Sequence, residues 1–254
     1  MSRFRKLLLL AVALAGAVVL GGPAGARADF TLQVFQDGVQ LLDQSFSTNQ
    51  VQFNQTVGAY YITGDILYTN NPGDINNGNI QISGMTIEDS DGKQHTLSLV
   101  LSANNFTSPG QAGSQMLLSS TASITGTGLL GPSDSFTYQG YADANNNLFG
   151  TTSPPPVGGV ASGGAVTTGL SSFSTTAGNL TQGATDTKTA TFIRTQDLYS
   201  LTSISTFTMN GGGTIGFTTS TAAALPAPAG IVLALSGVPL LGLGHWLRRR
   251  RQPA

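Results

Sequence analysis

Residues 79–103 have the sequence NIQISGMTIEDSDGKQHTLSLVLSA, in which two runs of alternating apolar and polar residues flank Asp89-Ser-Asp-Gly92. Alternation with a period of two is typical of half-buried strands. The Asp-Gly pair supports the positive φ angles of a tight turn. The stretch therefore predicts a hairpin in which a strand over 80–88 pairs with a strand over 94–103.

Comparable runs follow one another between residues 29 and 224, and turns rich in Gly, Asn and Asp separate them. Further strands are expected at 30–35, 60–69, 114–124, 135–141, 190–193, 200–209 and 214–219. Thr and Ser at alternating positions of these runs suit strand sites that face solvent. Short strands at this spacing predict a mainly β chain with an antiparallel β-sandwich-like domain over 29–224.

A segment rich in Pro and Gly, residues 150–165, interrupts these runs. It is either a linker between two β subdomains or a long surface loop of one domain. The residues that follow it contain few aromatic or large aliphatic side chains from which to build a separate core. This composition favours a loop within a single sandwich.

The first 28 residues contain the three parts of a signal peptide in the usual order. These parts are the basic residues Arg3, Arg5 and Lys6, an apolar run over 7–20, and a small-x-small pattern at Ala26 and Ala28. Cleavage by signal peptidase is expected before Asp29. The alternative is an uncleaved anchor, but the apolar run makes only about 21 Å of helix, which is short for an apolar bilayer core of about 30 Å.

A second apolar segment, residues 230–247, lies near the other end of the chain. It would form about 27 Å of helix, close to the lower limit for a single transmembrane helix. Trp246 suits the level of the lipid headgroups. The tail over 248–254 begins with Arg248, Arg249, Arg250 and Arg251, and such a cluster stays on the cytoplasmic side. Once the signal peptide is removed, the β domain is expected outside the membrane.

The prolines of Pro226-Ala227-Pro228 hold the chain extended just before this helix. The motif, helix and Arg cluster make residues 225–254 resemble the PEP-CTERM sorting signal of bacterial envelope proteins, with Ala227 where that family usually has Glu. The resemblance implies cleavage near the motif by an exosortase-type enzyme and delivery to the cell surface or extracellular matrix. A Gram-positive sortase signal does not fit, because Leu225-Pro-Ala is not followed by Thr-Gly. A plain membrane anchor without processing remains an alternative.

Charge and cysteine content exclude several classes of function. The twelve acidic residues lie between Asp29 and Asp197, where only Lys93, Lys188 and Arg194 are basic, so the exported domain has a formal charge of −9. Such a domain repels polyanions, which argues against nucleic acid as a partner. The absence of cysteine excludes a thiolate metal site, a cysteine nucleophile and a lipidated cysteine anchor.

Few residues of the β domain suit acid–base catalysis. His95 is its sole histidine, and no Gly-x-Ser-x-Gly motif supplies a serine for a catalytic triad. Glu88, Asp89 and Asp91 are clustered, but they flank a predicted turn and so do not resemble the facing carboxylates of a glycosidase. No enzymatic activity is expected. An envelope hydrolase, the alternative, would need an acid pair or His95 in a pocket.

Three loops contain oxygen ligands at the short spacing that calcium sites use. They are Asp143-x-Asn145-x-Asn147, Asp74-x-Asn76 and Asp89-x-Asp91. In the first loop Leu148 replaces the required Gly, and the other two are equally incomplete. Turn formation explains all three, so no cofactor is expected and calcium is kept as the alternative.

Together these observations predict an exported cell-surface or extracellular-matrix protein without catalysis of its own. Its expected partners are signal peptidase, an exosortase-type enzyme, the membrane and exopolysaccharide. The alternative is a surface adhesin or carbohydrate-binding module that uses loops at one end of the sandwich. Tyr60, Tyr61, Tyr138 and Tyr141 would then supply stacking faces, although packing in the core is the more common fate of such residues.

Overall fold

The computed structural model describes residues 29–124, 134–174, 184–210 and 212–226, except the side chain of Asp65. Fourteen strands lie in this part of the chain. They are β1 (Phe30–Gln36), β2 (Val39–Phe46), β3 (Gln50–Val57), β4 (Tyr60–Thr69), β5 (Asn77–Asp89), β6 (Gln94–Phe106), β7 (Gln115–Ile124), β8 (Ser135–Asp143), β9 (Gly150–Thr151), β10 (Val160–Ala161), β11 (Ala165–Ser174), β12 (Thr185–Ile193), β13 (Tyr199–Asn210) and β14 (Gly213–Ala224). Among the described residues there is no helix of the length and apolarity needed to span a membrane.

Twelve of the described strands form two six-stranded antiparallel sheets with a shared core. Sheet I has the order β11-β8-β13-β6-β1-β2, and sheet II has the order β12-β7-β14-β5-β4-β3. The short strands β9 and β10 pair in parallel. The predicted mainly β, antiparallel, sandwich-like architecture is therefore confirmed for the described residues. The predicted signal peptide over 1–28, the predicted helix over 230–247 and the tail over 248–254 lie outside them.

The predicted hairpin between 80–88 and 94–103 is wrong. β5 pairs with β4 and β14 of sheet II, whereas β6 pairs with β1 and β13 of sheet I. The turn over 90–93 therefore takes the chain from one sheet to the other. Both strands have an apolar face to bury. In two stacked sheets about 10 Å apart these apolar faces pack against each other, whereas in a hairpin within one sheet they would lie side by side.

The core between the sheets is apolar and aromatic. Phe207 of sheet I contacts Phe136 of the same sheet and Phe217 of sheet II, with ring centroids 4.6 Å and 4.7 Å apart. Strands β4, β5 and β6 add the fully buried side chains of Ile62, Ile80, Ile82, Ile87, Leu97, Leu99 and Leu101. Burial of each such side chain contributes about 1.5–3 kcal/mol. It also sets the register, because a slip by one residue would turn the apolar set outward.

Several Ser and Thr side chains face this core, contrary to the expectation that alternating hydroxyl residues lie on the solvent side. Ser120 and Thr221 are fully buried. The hydroxyl of Tyr138 lies 2.6 Å from that of Thr221, and the hydroxyl of Ser120 lies 2.7 Å from that of Thr168. Hydrogen bonding between these groups offsets the cost of removing them from water.

The segment between β8 and β11 covers the middle of the outer face of sheet I. Phe149 from this segment packs with Phe35, Val100, Tyr141 and Ile204, which point outward from four strands of the sheet. The Phe149 N–H also donates a hydrogen bond of 2.9 Å to the Ser102 hydroxyl. The predicted Pro/Gly-rich loop over 150–165 thus lies against the sheet and shields an apolar cluster from solvent.

Candidate functional site

The outer face of sheet II is open and polar. Tyr61, Thr63 and Tyr68 of β4 lie on this face, opposite the core-facing Ile62 and Leu67. Neighbouring strands add uncharged hydrogen-bonding side chains, among them Gln52, Asn54, Gln81, Thr86, Thr218 and Ser220. This face therefore offers amides, hydroxyls and aromatic rings to a ligand, whereas the middle of the outer face of sheet I is covered.

Strand β4 contains one residue more than its neighbour β3, and strand β5 one more than its neighbour β14, at the same height along sheet II. Gln52 of β3 lies opposite both residues 65 and 66 of β4, and Thr218 of β14 lies opposite both residues 83 and 84 of β5. Between β4 and β5 the register is continuous. We call residues 65–66 and 83–84 the paired bulge. An extra residue bends a strand and locally interrupts its ladder.

Glycines make the paired bulge sterically feasible. Gly84 has a φ of 61°, in the left-handed region that favours glycine, and its N–H donates a hydrogen bond of 3.1 Å to the Thr218 hydroxyl. At Gly64, a Cβ atom would lie 2.9 Å from Cε of Met85. The absent Cβ of Gly64 leaves room for the buried side chain of Met85, and Gly84 can adopt the left-handed backbone that the bulge requires.

The paired bulge adjoins a depression of about 410 Å³ on the outer face. Its lining residues are Gln52, Phe53, Asn54, Thr63, Gly64, Gly84 and Thr86. The side chains of Gln52, Asn54, Thr63 and Thr86 make no hydrogen bond to any other described residue. Their donors and acceptors are therefore available to a bound molecule.

Two tyrosines of β4 lie on either side of this depression. Tyr61 lies opposite Thr56 and Glu88 of the neighbouring strands, and Tyr68 lies opposite Gln50 and Gln81. Tyr61 is 40% exposed and Tyr68 is half-buried. Tyrosine combines a large apolar face with a polar tip, and this suits it to ligand contact at a wet surface.

The structure separates the four tyrosines that the sequence proposed as stacking residues. Tyr60 and Tyr138 are buried in the core, and Tyr141 is buried beneath the loop on sheet I. Only Tyr61 of the four is on the open face. Tyr68, which the sequence interpretation did not include, is on this face as well, although strict alternation from Tyr61 would place it on the opposite one. Isolated glycines within a strand pattern, here Gly64 and Gly84, are the sequence signal of the bulge that brings it back.

His95 lies at one end of the sandwich between two carboxylates. Its Nδ1 is 2.6 Å from Oδ2 of Asp37, and its Nε2 is 3.1 Å from Oδ2 of Asp91. The hydrogen bonds to Asp37 and then Asp91 raise the pKa of His95. The pKa of Asp37 is lowered, first by the N–H of Thr96 and then by His95.

A groove of about 590 Å³ borders this cluster, with Val39 and Leu41 among its lining residues. Both ring nitrogens of His95 are engaged by carboxylates, so neither is free to take a proton from a nucleophile. The hydroxyl of Ser90, which also lines the groove, donates to the carbonyl oxygen of Ala59 at 2.7 Å. This groove is larger than the depression on sheet II. Its polar groups already bond to one another, however, so they offer fewer hydrogen bonds to a ligand.

The acidic residues near the same turn do not form a facing pair. Glu88 is exposed on the outer face of sheet II, whereas Asp89 is buried at the end of β5. Asp89 accepts hydrogen bonds from the N–H groups of Asp91 and Gly212, each at 3.1 Å. This carboxylate therefore holds two turns together.

The carboxylates of the three calcium-like loops accept hydrogen bonds from nearby main-chain N–H groups. Asp143 accepts from Asn145 at 2.9 Å and from Asn147 at 3.2 Å. Asp74 accepts from Asn76 at 2.7 Å and from Asn77 at 2.9 Å. With the Asp89 contacts, these are the local side-chain bonds by which Asp closes turns.

The predicted processing residues that the structure describes lie at the end of the sandwich opposite His95. Asp29 is exposed just before β1, and Pro226 is exposed just after β14. β1 starts beside the end of β6, and β14 ends beside the start of β5, so both chain exits are at this end. The other predicted processing and membrane residues, Ala26, Ala28, Ala227, Pro228, Trp246 and Arg248 to Arg251, lie outside the described residues.

Comparisons with known proteins show no family membership. No protein-family model matches the chain, and no curated protein matches it. Among solved structures, it is similar to the adhesin domain of Epf from Streptococcus pyogenes, with 8% identity and a TM-score of 0.33 over 76% of this chain. The matched region spans only 57% of that adhesin chain.

Carbohydrate-binding modules are also among the similar structures. The family 11 module from Clostridium thermocellum, in complex with a mixed-linked tetrasaccharide, has 13% identity and a TM-score of 0.27, covering 78% of this chain and 96% of the module. A module in complex with β-1,4-galactotriose has 7% identity and a TM-score of 0.24, covering 63% and 86%. At these scores the similarities are no basis for assigning a function.

Proposed function

We propose that this chain is an exported surface protein, tethered at the membrane, that binds an uncharged polysaccharide on the outer face of sheet II. One observation carries the binding proposal. Gln52, Asn54, Thr63 and Thr86 line a depression on the open face of the sandwich, and their side chains make no hydrogen bond to another described residue.

The chemistry of this face fits a sugar. Amide and hydroxyl side chains both donate and accept hydrogen bonds, as the hydroxyl groups of a sugar require. Tyr61 adds an exposed ring against which the apolar face of a sugar ring can pack. The formal charge of −9 on the exported domain opposes the approach of polyanions and so favours an uncharged ligand. The proposed surface is a sheet face, in place of the end loops that the sequence suggested.

Three features support the tethering part of the proposal. The N-terminal sequence has the parts of a signal peptide, and residues 225–254 resemble a PEP-CTERM sorting signal. Leu225 is 46% exposed, and Pro226 beside it is also exposed, so the start of the motif is accessible to a processing enzyme. The chain leaves β14 at the end of the sandwich opposite His95, and the proposed anchor follows from there.

Affinity electrophoresis tests the binding proposal. The full chain, produced with its own export signal and extracted in mild detergent, is run through gels containing galactan, mannan or mixed-linkage glucan, and through a gel containing polygalacturonate. Retardation is expected by at least one neutral polymer and not by the acidic one. Tyr61→Ala should abolish the retardation, while Leu170→Ala, an exposed residue of sheet I, should leave it unchanged. Migration unaffected by every neutral polymer would refute the proposal.

Mass spectrometry of the protein from native cells tests the export and sorting part. A mature chain that starts at Asp29 and ends near Pro226 is expected if signal peptidase and an exosortase-type enzyme both act. A chain that retains Arg248 to Arg251 would identify a plain anchor. A chain that still begins at Met1 would contradict the predicted signal cleavage.

A further inference from the structure

Tyr61 and Tyr68 share a face only because of the paired bulge. Seven positions separate them, and in a regular strand an odd separation places two side chains on opposite faces. The extra residue of β4 restores the outward direction, as the two core-facing residues Ile62 and Leu67 show. The bulge therefore produces two aromatic positions on one face.

The two tyrosines are far apart compared with a single sugar ring. Thr56 and Gln50, which lie opposite them on β3, are six positions apart, and at the usual rise per residue this is about 20 Å. Thr63 and Gly64, which line the depression, lie between them on the same strand. A molecule that contacts both rings must therefore pass the amide and hydroxyl groups of the depression.

We infer that the ligand is a linear, uncharged oligosaccharide or polysaccharide of several sugar units that lies along β4 and contacts Tyr61 and Tyr68 together. This inference rests on the proposed polysaccharide binding and specifies its ligand class. A monosaccharide or disaccharide reaches one tyrosine at a time. Once a longer chain is held at one ring, the second contact forms at high effective concentration, so affinity rises with chain length.

Calorimetric titration with a size series tests this inference. Mono-, di-, tetra- and hexasaccharides of the polymer that retards the full chain are titrated into that chain. Affinity is expected to rise tenfold or more from the disaccharide to the hexasaccharide. Tyr68→Ala should remove this rise, so that the hexasaccharide binds about as weakly as the disaccharide. Tyr68→Phe retains the ring and should preserve the length dependence.

The possible failures can be told apart. If the disaccharide and hexasaccharide bind equally, or if Tyr68→Ala binds the hexasaccharide as the unmodified chain does, the two-tyrosine arrangement is refuted while polysaccharide binding stands. If no neutral polymer binds the chain, the proposed function fails and this inference fails with it. Circular dichroism of both Tyr68 variants verifies that the sandwich is folded.

Discussion

Nδ1 of His95 lies 2.6 Å from Oδ2 of Asp37, and this contact joins the turn after β1 to the start of β6. The other carboxylate oxygen of Asp37 accepts the N–H of Thr96 at 2.8 Å. Asp91 engages the second ring nitrogen of His95. Two turns and the start of β6 are thus joined at the end of the sandwich opposite the chain exits.

Stability should depend on pH through this contact. Because the folded-state pKa of His95 is raised above 6.5, its contribution is fully present below pH 6.5 and is lost as pH rises through the folded pKa. Because the folded-state pKa values of Asp37 and Asp91 are lowered below 3.8, their contribution is present above pH 3.8 and is lost as pH falls through those values. The contact stabilises most between these limits.

Thermal unfolding of the full chain from pH 5 to 9 measures the effect. His95→Gln should lower the midpoint more at pH 5 than at pH 9. Lys93→Gln changes an exposed neighbour and should leave the pH dependence as it is. An equal loss at both pH values in His95→Gln would show that the charged contact contributes nothing to stability.

Substitution of Arg194 should destabilise the described fold strongly. The residue is 1% exposed, and Cζ of its guanidinium lies 5.3 Å from the ring centroid of Tyr199. It donates to the carbonyl oxygens of Pro109, Gly110, Gln196 and Asp197. Arg194→Met leaves buried acceptors without donors, and we expect a loss of about 3 kcal/mol or more.

Urea unfolding provides the measurement, and Lys188→Met is the matched control. Lys188 forms a partly exposed pair with Asp186 at 3.0 Å, and removing an exposed pair costs about 0–1 kcal/mol. Equal losses in the two variants would mean that the carbonyl contacts of Arg194 are replaced by water at little cost.

The loop on sheet I should detach when Gly158 acquires a side chain. Its φ is 77°, and a Cβ atom there would lie 2.6 Å from Cε2 of Phe35 and 2.7 Å from Cγ2 of Val100. Gly158→Ala should therefore speed proteolytic cleavage within 144–164. Gly163→Ala, at a position with nothing within 4 Å, should not. Identical cleavage rates would show that the loop packing tolerates the added methyl group.

The geometry of the paired bulge should depend on Gly84. A side chain at its φ of 61° costs about 1–2 kcal/mol. Gly92, in the turn after β5, has a φ of 68° and open space around it. Gly84→Ala and Gly92→Ala should thus destabilise by similar amounts, but only Gly84→Ala should weaken retardation by a neutral polysaccharide. Equal retardation of both variants would show that polysaccharide binding does not depend on the geometry of the bulge.

The loss of stability on removing a buried core hydroxyl should depend on whether that hydroxyl has a hydrogen-bond partner. Thr221→Val leaves the Tyr138 hydroxyl without its 2.6 Å partner and should cost about 1–3 kcal/mol. Ser205, also fully buried, has no hydrogen-bond partner among the described residues. Ser205→Ala should therefore be close to neutral or stabilising in the same urea titration. A larger loss in Ser205→Ala than in Thr221→Val would contradict this ranking.

Local patterns were sufficient to locate most strands. The range 60–69 predicted from alternation coincides with β4, and the ranges over 135–141 and 200–209 lie within β8 and β13. Alternation missed β2, β3 and β11, which lie at sheet edges and have less regular apolar patterns. For the candidate site, the sequence supplied Tyr61 as a possible contact, but it did not supply Tyr68 or the depression between them.

Taken alone, the sequence determined that this domain is built of β-strands and where its chain reversals lie, because period-two alternation and Asp/Gly turn chemistry act between near neighbours. Tertiary structure decided that β5 and β6 belong to different sheets, that Ser120 and Thr221 face inward, and that Tyr61 and Tyr68 share a face. These outcomes depend on which distant strands exchange hydrogen bonds and on where one strand contains an extra residue relative to its neighbour, which residues close in sequence do not specify.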